Sequence, residues 1–459
     1  MSKRTLIIKW SIIAGLVIVL VFFATVYNNI FNSKQTAIDN TDYSNVSINT
    51  DPQLSSDSSL SDESDISKKT LTVFPKEACV KNAPLFNFVQ NIGGSKNDEI
   101  LSTLHIGNKY YIISQSSSTD HDFDSNSVKC LAVSVVNENG TLEKVFVIQG
   151  TDPKLLDYTV TQDGMLIAYS DSSLKLLKLS LELNCLKETE FLGLNAATAD
   201  LRTIDDRIYL FTTDNTTLTT HIINTSLQVI KSKQSVYSGR VTINAVFTMS
   251  NTFKLFLNVD SGRSFIKLLE LDSELDTMVL KDLSDEFSGR LISVTPFFDK
   301  TQHYALLIYS DGGTYLKVYD ADNTCTNMSY ICKEKNVVLI NYNNTLLILG
   351  NKTAVCCCIH GDVILENISE LCCFTEIADW IISDNKLLIL GTDDNNACVA
   401  VNYSVNHSVI SKVYLGTAKP CSVTDSSLSI VITFNSSEND YLNYGQTDGY
   451  IAEIKNEIL

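Results

Sequence analysis

Five basic residues could form a site for an anion. Lys96, Lys154, Arg240, Arg290 and Lys419 each fall just before or at the start of an apolar, strand-like run. The segments SGRVTINAVF (238–247) and SGRLISVTPF (288–297) repeat this placement closely. If the runs are equivalent strands of a ring, their starts converge, and charges far apart in sequence become neighbours in space. Like charges brought together are relieved either by nearby acids or by an anionic ligand. The same residues also read as solvated flanking charge paired with Asp98, Glu99 and Asp157.

Other constellations are incomplete. Asp120, Asp122, Asp124 and Asn126 lie at alternate positions, as oxygen ligands do at the start of a calcium loop. Ser125 stands where the glycine belongs, and Leu131 where a bidentate acid would close the loop. The chain has 12 cysteines, and Cys356, Cys357, Cys358, Cys372 and Cys373 cluster with His360. The spacing is not that of a zinc site, and Val355 stands where Cys130 and Cys398 open their own strands, so the run reads as core thiols. Cys325 and Cys332 are expected to flank a turn, where a disulfide could close. No G-x-S-x-G elbow, H-E-x-x-H, P-loop or dinucleotide glycine pattern occurs. No metal or cofactor is expected. Ser310–Tyr315 (SDGGTY) reads as a plain β-turn.

The elements that would hold these residues announce themselves by repetition. KYYIISQS at 109–116 returns as GMLIAYSD, RIYLFTTD, FKLFLNVD, YALLIYSD, TLLILGNK, KLLILGTD and LSIVITFN, beginning at residues 164, 207, 253, 304, 345, 386 and 428. Several strands per unit at a period of this size predict a β-propeller. The fold class is all-β, with eight four-stranded blades, or seven if the short unit at 334–371 is not a blade. The last unit has three strands (KPCSVTDS, SLSIVITF, GYIAEIKN) and then the chain stops. APLFNFVQNIGG (83–94) resembles the outer strand of the first unit, so it is expected to complete the last blade and leave no bare edge.

Residues 10–27 carry no charge and, with Leu6, Ile7 and Ile8, nearly span a hydrocarbon core of about 30 Å. Lys3, Arg4 and Lys9 precede them, which leaves the N-terminus cytoplasmic and the remainder outside. FFATVYNN is a poor cleavage site, so the segment is expected to stay as an anchor. The expected organisation is a cytoplasmic tail (1–9), a transmembrane anchor (10–27), a disordered Ser/Asp-rich stalk (28–70) and the propeller (71–459). A net charge of −18 argues against nucleic acid as a partner.

The stretch from Ile92 to Phe146 resembles the Gly-Gly-Ser-x-x-Asp propeller repeat of bacterial surface and secreted proteins. Gly93, Gly94, Ser95, Asp98, the Ser/Asp loop 115–127 and the hairpin Asn139-Gly140 carry the likeness. HIGNKYY replaces the usual DGGY turn, and the other units match as a strand pattern only. The resemblance implies a propeller on a bacterial exterior and no chemistry. The expected function is a non-catalytic binding or scaffold module at the cell surface, with an anionic glycan or an envelope protein as partner. The competing reading is an enzyme acting on polysaccharide at one mouth of the channel, which would need convergent carboxylates or a nucleophile–base pair there.

Overall fold

The structure is a computed structural model. It describes residues 70–72, 76–77, 80–81, 85–123, 129–249, 252–284, 288–299, 301–343, 345–365, 368, 371, 373–383, 386–404, 409–426, 429–436 and 447–455. The expected tail, anchor and nearly all of the stalk lie outside the described residues.

Each octapeptide of the repeat is the second strand of a meander, because its continuous apolar run is buried on both faces. Eight antiparallel sheets result, and each is a blade with strands A to D from the channel outward. The A strands are Asp98–Ile106, Lys154–Thr161, Thr198–Ile204, Arg240–Met249, Arg290–Asp299, Val337–Tyr342, Glu376–Ser383 and Lys419–Ser426, for blades 1 to 8. The short unit is a full blade, blade 6, whose D strand is the three residues Val363–Leu365. Eight hydrophobic clusters fill the eight gaps between neighbouring blades. No blade has a core of its own.

The ring closes as the sequence predicts. Blade 8 takes strands A to C from Lys419–Ser426, Ser429–Ser436 and Asp448–Ile454, and its D strand is Phe86–Ile92. Val89 faces Ala452 and Asn91 faces Tyr450 in antiparallel register. The closing strand serves two cores. Phe86 and Val89 enter the cluster between blades 7 and 8, and Phe88 and Ile92 the one between blades 8 and 1. Two short strands strap the seam from outside. Thr70–Thr72 pairs with the D strand of blade 1, Leu142–Gly150, and Val80–Lys81 pairs with Phe86–Ile92.

Two members of the cysteine run are core as expected, while Cys358 at the end of the strand is half-buried. Cys356 and Cys357 are both fully buried in strand C of blade 6, and they point into the clusters on its two sides. Cys130 and Cys398 are buried core residues as well. Cys372 lies outside the described residues. One expectation is corrected: Cys325 and Cys332 do not flank a turn. They are the two ends of one strand, Cys325–Cys332. At about 3.3 Å per residue they are roughly 23 Å apart, too far for a disulfide. Ser310 and Gly313 close a two-residue turn in which Asp311 and Gly312 both have positive φ (51° and 76°), as a type I′ hairpin requires.

Phe86, Phe88 and Val89 of the closing strand each contribute roughly 1.5–3 kcal/mol by burial. Deleting residues 83–91 is expected to lower the melting temperature by roughly 10 °C or more and to promote self-association through the bared edge. Scanning calorimetry with light scattering checks this. A deletion variant that stays monomeric and melts with the parent rejects the closure.

Candidate functional site

All A strands run in the same sense through a closed ring, so their first residues gather at one mouth of the channel. Lys154, Arg240, Arg290 and Lys419 each begin or open an A strand, and Lys96 lies just before the first. All five are exposed. Six A strands contain a β-bulge at a common point, at Leu101, Leu156, Asn244, Ile292, Ala378 and Cys421. Counted from that bulge, Lys154, Arg290 and Lys419 occupy the same register, and so do Glu99 and Glu376. Arg240 and Lys96 lie farther out toward the rim.

The mouth therefore carries both signs in sectors. Lys419 reaches across the seam to Glu99 at 3.0 Å. Lys154 lies 3.4 Å from Asp152, which also binds Lys129 at 2.8 Å. Arg240 and Arg290 make no ion pair among the described residues.

At the seam the Gly-Gly-Ser-x-x-Asp segment forms a latch. Asp98 is buried and accepts from the Gly94 amide (2.6 Å), the Ser118 hydroxyl (3.0 Å) and the Ser116 hydroxyl. A side chain at Gly93 would strike Asp448, and one at Gly94 would strike Ser118, so both glycines are needed for close approach. Of the calcium candidates, Asp120 accepts from the Ser95 amide (2.9 Å). Asp122 accepts from the Gly93 amide (3.1 Å) and pairs with Lys76 (3.0 Å). Both thus already bind protein donors, while Asp124 and Asn126 lie outside the described residues. Among the described residues no group of three His, Cys, Asp or Glu side chains could hold a metal ion.

A cavity of about 580 Å³ opens at the mouth between blades 7, 8 and 1, lined by Asp98, Glu99, Glu376, Asn396, Asn435 and Lys419 among others. Burial pushes the Asp98 carboxyl up to about 6, against the hydrogen bonds it accepts. Both Asp98 oxygens are engaged by the latch, which leaves Glu99 and Glu376 as the carboxylates able to meet a ligand.

On sequence, Asp157 reads as a surface partner of the basic residues; instead it belongs, with Asp379, to a second set of carboxylates inside the channel wall, and Lys154 pairs with Asp152. Asp157 and Asp379 each come directly after the bulge of their A strand. The Asp157 side chain accepts the Leu201 amide of blade 3 (2.6 Å), and Asp379 accepts the Val423 amide of blade 8 (3.0 Å). Asparagines on B strands do the same. Asn435 takes the Ile100 amide (2.9 Å) and Asn258 the Leu291 amide (3.0 Å). These bonds clasp blades 2, 4, 7 and 8 to the A strand of the next blade. The recurring Asp-aromatic pair, Asp157-Tyr158 and Asp379-Trp380, was a signal for them. Burial raises the carboxyls of Asp157 and Asp379. Asp200 is pushed up to about 7 by burial, with Arg202 at 2.9 Å acting the other way and Asp157 adding to the rise.

No protein-family model matches the chain, and no characterised protein matches it in sequence. Its fold is similar to that of solved structures, a propeller among them. The Dos1 propeller is 9% identical, with a TM-score of 0.52 over 83% of this chain and 95% of that one. Chaetomium thermophilum Raptor is 9% identical, with a TM-score of 0.43 over 80% of this chain and 29% of that one. The AfRom2 CNH domain is 8% identical, with a TM-score of 0.42 over 83% and 98%. At such identities the likeness speaks to architecture only.

A carboxyl raised on folding binds its proton more tightly in the folded state, so its contribution to stability falls as pH rises from about 4 through about 7. His221, lowered to about 4 by burial, acts in the opposite sense between its ordinary value and that one. Comparing Asp200→Asn with the parent cancels the histidine. The melting temperature of the variant is expected to gain on the parent between pH 5 and pH 8. A difference that stays flat or shrinks over that range contradicts the buried, charged Asp200.

Proposed function

We propose that this chain is a membrane-anchored binding module whose propeller lies outside the cytoplasm and meets an anionic partner at one mouth of its channel. The observation that carries the reading is the pair Arg240 and Arg290. They open the A strands of adjacent blades, are exposed, and make no ion pair among the described residues. Closed propellers commonly serve as binding or scaffold modules, and the mouth is where residues from many blades meet. With a net charge of −18, the long-range field opposes an anion, so recognition must come from short-range contacts with these cations. An acidic glycan fits that requirement, with an envelope protein as the other partner. Lys96, Lys154 and Lys419 extend the basic surface, although Lys154 and Lys419 share their charge with Asp152 and Glu99.

The anchor rests on residues 10–27 and the basic residues before them. Among the described residues no helix is long and apolar enough to cross a membrane. The resemblance to bacterial surface repeats supports the same location.

A second reading, an enzyme acting on polysaccharide, is favoured by the carboxylates around the cavity at the seam. Two carboxylates facing a substrate are the requirement for glycoside hydrolysis. Glu99 is held by Lys419 and Asp98 by the latch, so only Glu376 is uncommitted among them. Binding is therefore the function the geometry supports best.

Two outcomes are expected. Arg240→Ala with Arg290→Ala weakens retention of an acidic glycan about tenfold in affinity electrophoresis and flattens its salt dependence, with the melting temperature unchanged. Unchanged affinity makes the two arginines ordinary surface charge. N-terminal sequencing of the membrane-bound protein begins at or near Met1, whereas a start between residues 25 and 40 rejects the anchor.

A further inference from the structure

The cavity at the seam joins three blades. About 580 Å³ in volume, it is lined by Asn97 of blade 1, Glu376 and Asn396 of blade 7, Thr417 in the link from blade 7 to blade 8, and Thr447 of blade 8. The ion pair Lys419–Glu99 forms part of the same wall. Sites for small molecules have volumes of roughly 300–1,000 Å³.

The polar side chains here fall into two groups. Lys419 and Glu99 neutralise each other at 3.0 Å, and Asp98 is taken up by the latch. By contrast, the side chains of Asn97, Glu376, Asn396, Thr417 and Thr447 make no hydrogen bond or ion pair among the described residues.

The main chain nevertheless fixes all five. Glu376 is the first residue of strand A in blade 7 and pairs with Thr392. Asn396 sits in the turn between strands B and C of that blade, Lys386–Thr392 and Cys398–Ser404. That turn lies at the mouth end, because B runs back toward the start of A. The Asp393 carboxylate holds the turn by accepting the amides of Asn395 and Ala397, both at 2.9 Å. Asn396 has φ of 58°, a conformation asparagine tolerates. Across the seam, the Asn97 carbonyl accepts the Ser117 amide (2.9 Å) and the Thr447 carbonyl accepts the Asp98 amide (2.8 Å). The Thr417 carbonyl accepts the Ser436 hydroxyl (3.4 Å). Polar side chains left over on a fixed frame cost little to order when a ligand arrives.

Charge and hydrogen-bonding capacity define that ligand. Glu376 is the lining carboxylate that neither a cation nor the latch engages. A carboxylate only accepts, so it calls for a donor, and a charged ammonium makes the stronger bond. The net charge of −18 adds a long-range field of the same sense. The amides of Asn97 and Asn396 and the hydroxyls of Thr417 and Thr447 both donate and accept, as sugar hydroxyls do.

We propose that the cavity between blades 7, 8 and 1 binds an amino sugar, with Glu376 taking the ammonium and Asn97, Asn396, Thr417 and Thr447 taking the hydroxyls. The site stands apart from the anion-binding reading. Arg240 and Arg290 belong to blades 4 and 5, on the opposite side of an eight-bladed ring.

The test uses the full chain in detergent and three hexamers of one β-1,4 backbone: glucosamine, N-acetylglucosamine and glucose. Spermine serves as a cation without hydroxyls. Affinity is measured by isothermal titration calorimetry at pH 6 and fixed ionic strength. The parent is expected to bind the glucosamine hexamer at least tenfold more tightly than the other two hexamers or spermine. Glu376→Gln is expected to weaken this binding about tenfold, the loss of one charge-assisted bond. Asn396→Gly keeps the turn, removes the amide and is expected to weaken binding about threefold. Glu138→Gln removes the same charge from the C–D turn of blade 1, at the far end of the channel, and is expected to leave affinity within twofold. Equal binding of the N-acetylglucosamine or glucose hexamer overturns the ammonium contact. Equal binding of spermine overturns the sugar. Binding left untouched by Glu376→Gln, or weakened as much by Glu138→Gln, overturns the site. A parent that binds an acidic glycan but no glucosamine hexamer overturns this proposal alone.

Discussion

The pairing of Phe86–Ile92 with Asp448–Ile454 is the contact on which the rest of the molecule depends. Among the described residues no covalent bond closes the ring, and every hydrophobic cluster lies between two blades rather than within one. A blade that loses its neighbour loses half of what it buries. The closing strand is therefore tied on three sides. It fills two cores, it carries Val80–Lys81 on its outer edge, and it leads through Gly93 and Gly94 into the Asp98 latch that starts blade 1. Thr70–Thr72 on the outside of blade 1 strengthens the same seam.

Inside the ring, polar clasps do what apolar packing cannot. Hydrophobic contact sets the distance between blades but tolerates sliding. A hydrogen bond from the Leu201 amide to the Asp157 carboxylate, or from the Leu291 amide to the Asn258 side-chain oxygen, fixes the height of one A strand against the next. Removing the acceptor would strand a buried amide, at a cost of about 1–3 kcal/mol. The bulges place these side chains, since one extra residue turns the strand and re-aims the side chains beyond it. The positions of charges at the mouth depend on this. Arg290 sits where it does because Leu291 is clamped, and Lys419 meets Glu99 because blades 8 and 1 are latched in register.

Much of this was legible in the sequence. The B strands stand out because burial on both faces leaves continuous apolar runs such as TLLILG and KLLILG. The closure is visible because the last unit lacks a strand that residues 83–94 resemble. Cys356 and Cys357 read correctly as core because alternation sends them to opposite faces. The misses have physical causes too. Cys325–Cys332 is an outer strand with one face in solvent, so its mixed composition reads as a turn. Asp157 and Asp379 look like surface acids because the A strands that carry them line a channel and alternate weakly. The short outer straps are two or three residues long and carry almost no periodicity.

The claim that a single non-covalent strand holds the ring is open to direct measurement by hydrogen–deuterium exchange resolved to short peptides. The strand amides of 86–92 and 448–454 should exchange as slowly as those of Arg207–Asp214, the B strand of blade 3, because both are released only when the ring opens. Exchange of 86–92 within seconds, while the B strand of blade 3 stays protected, would mean that the strand is a peripheral tail and that the ring is held by something else.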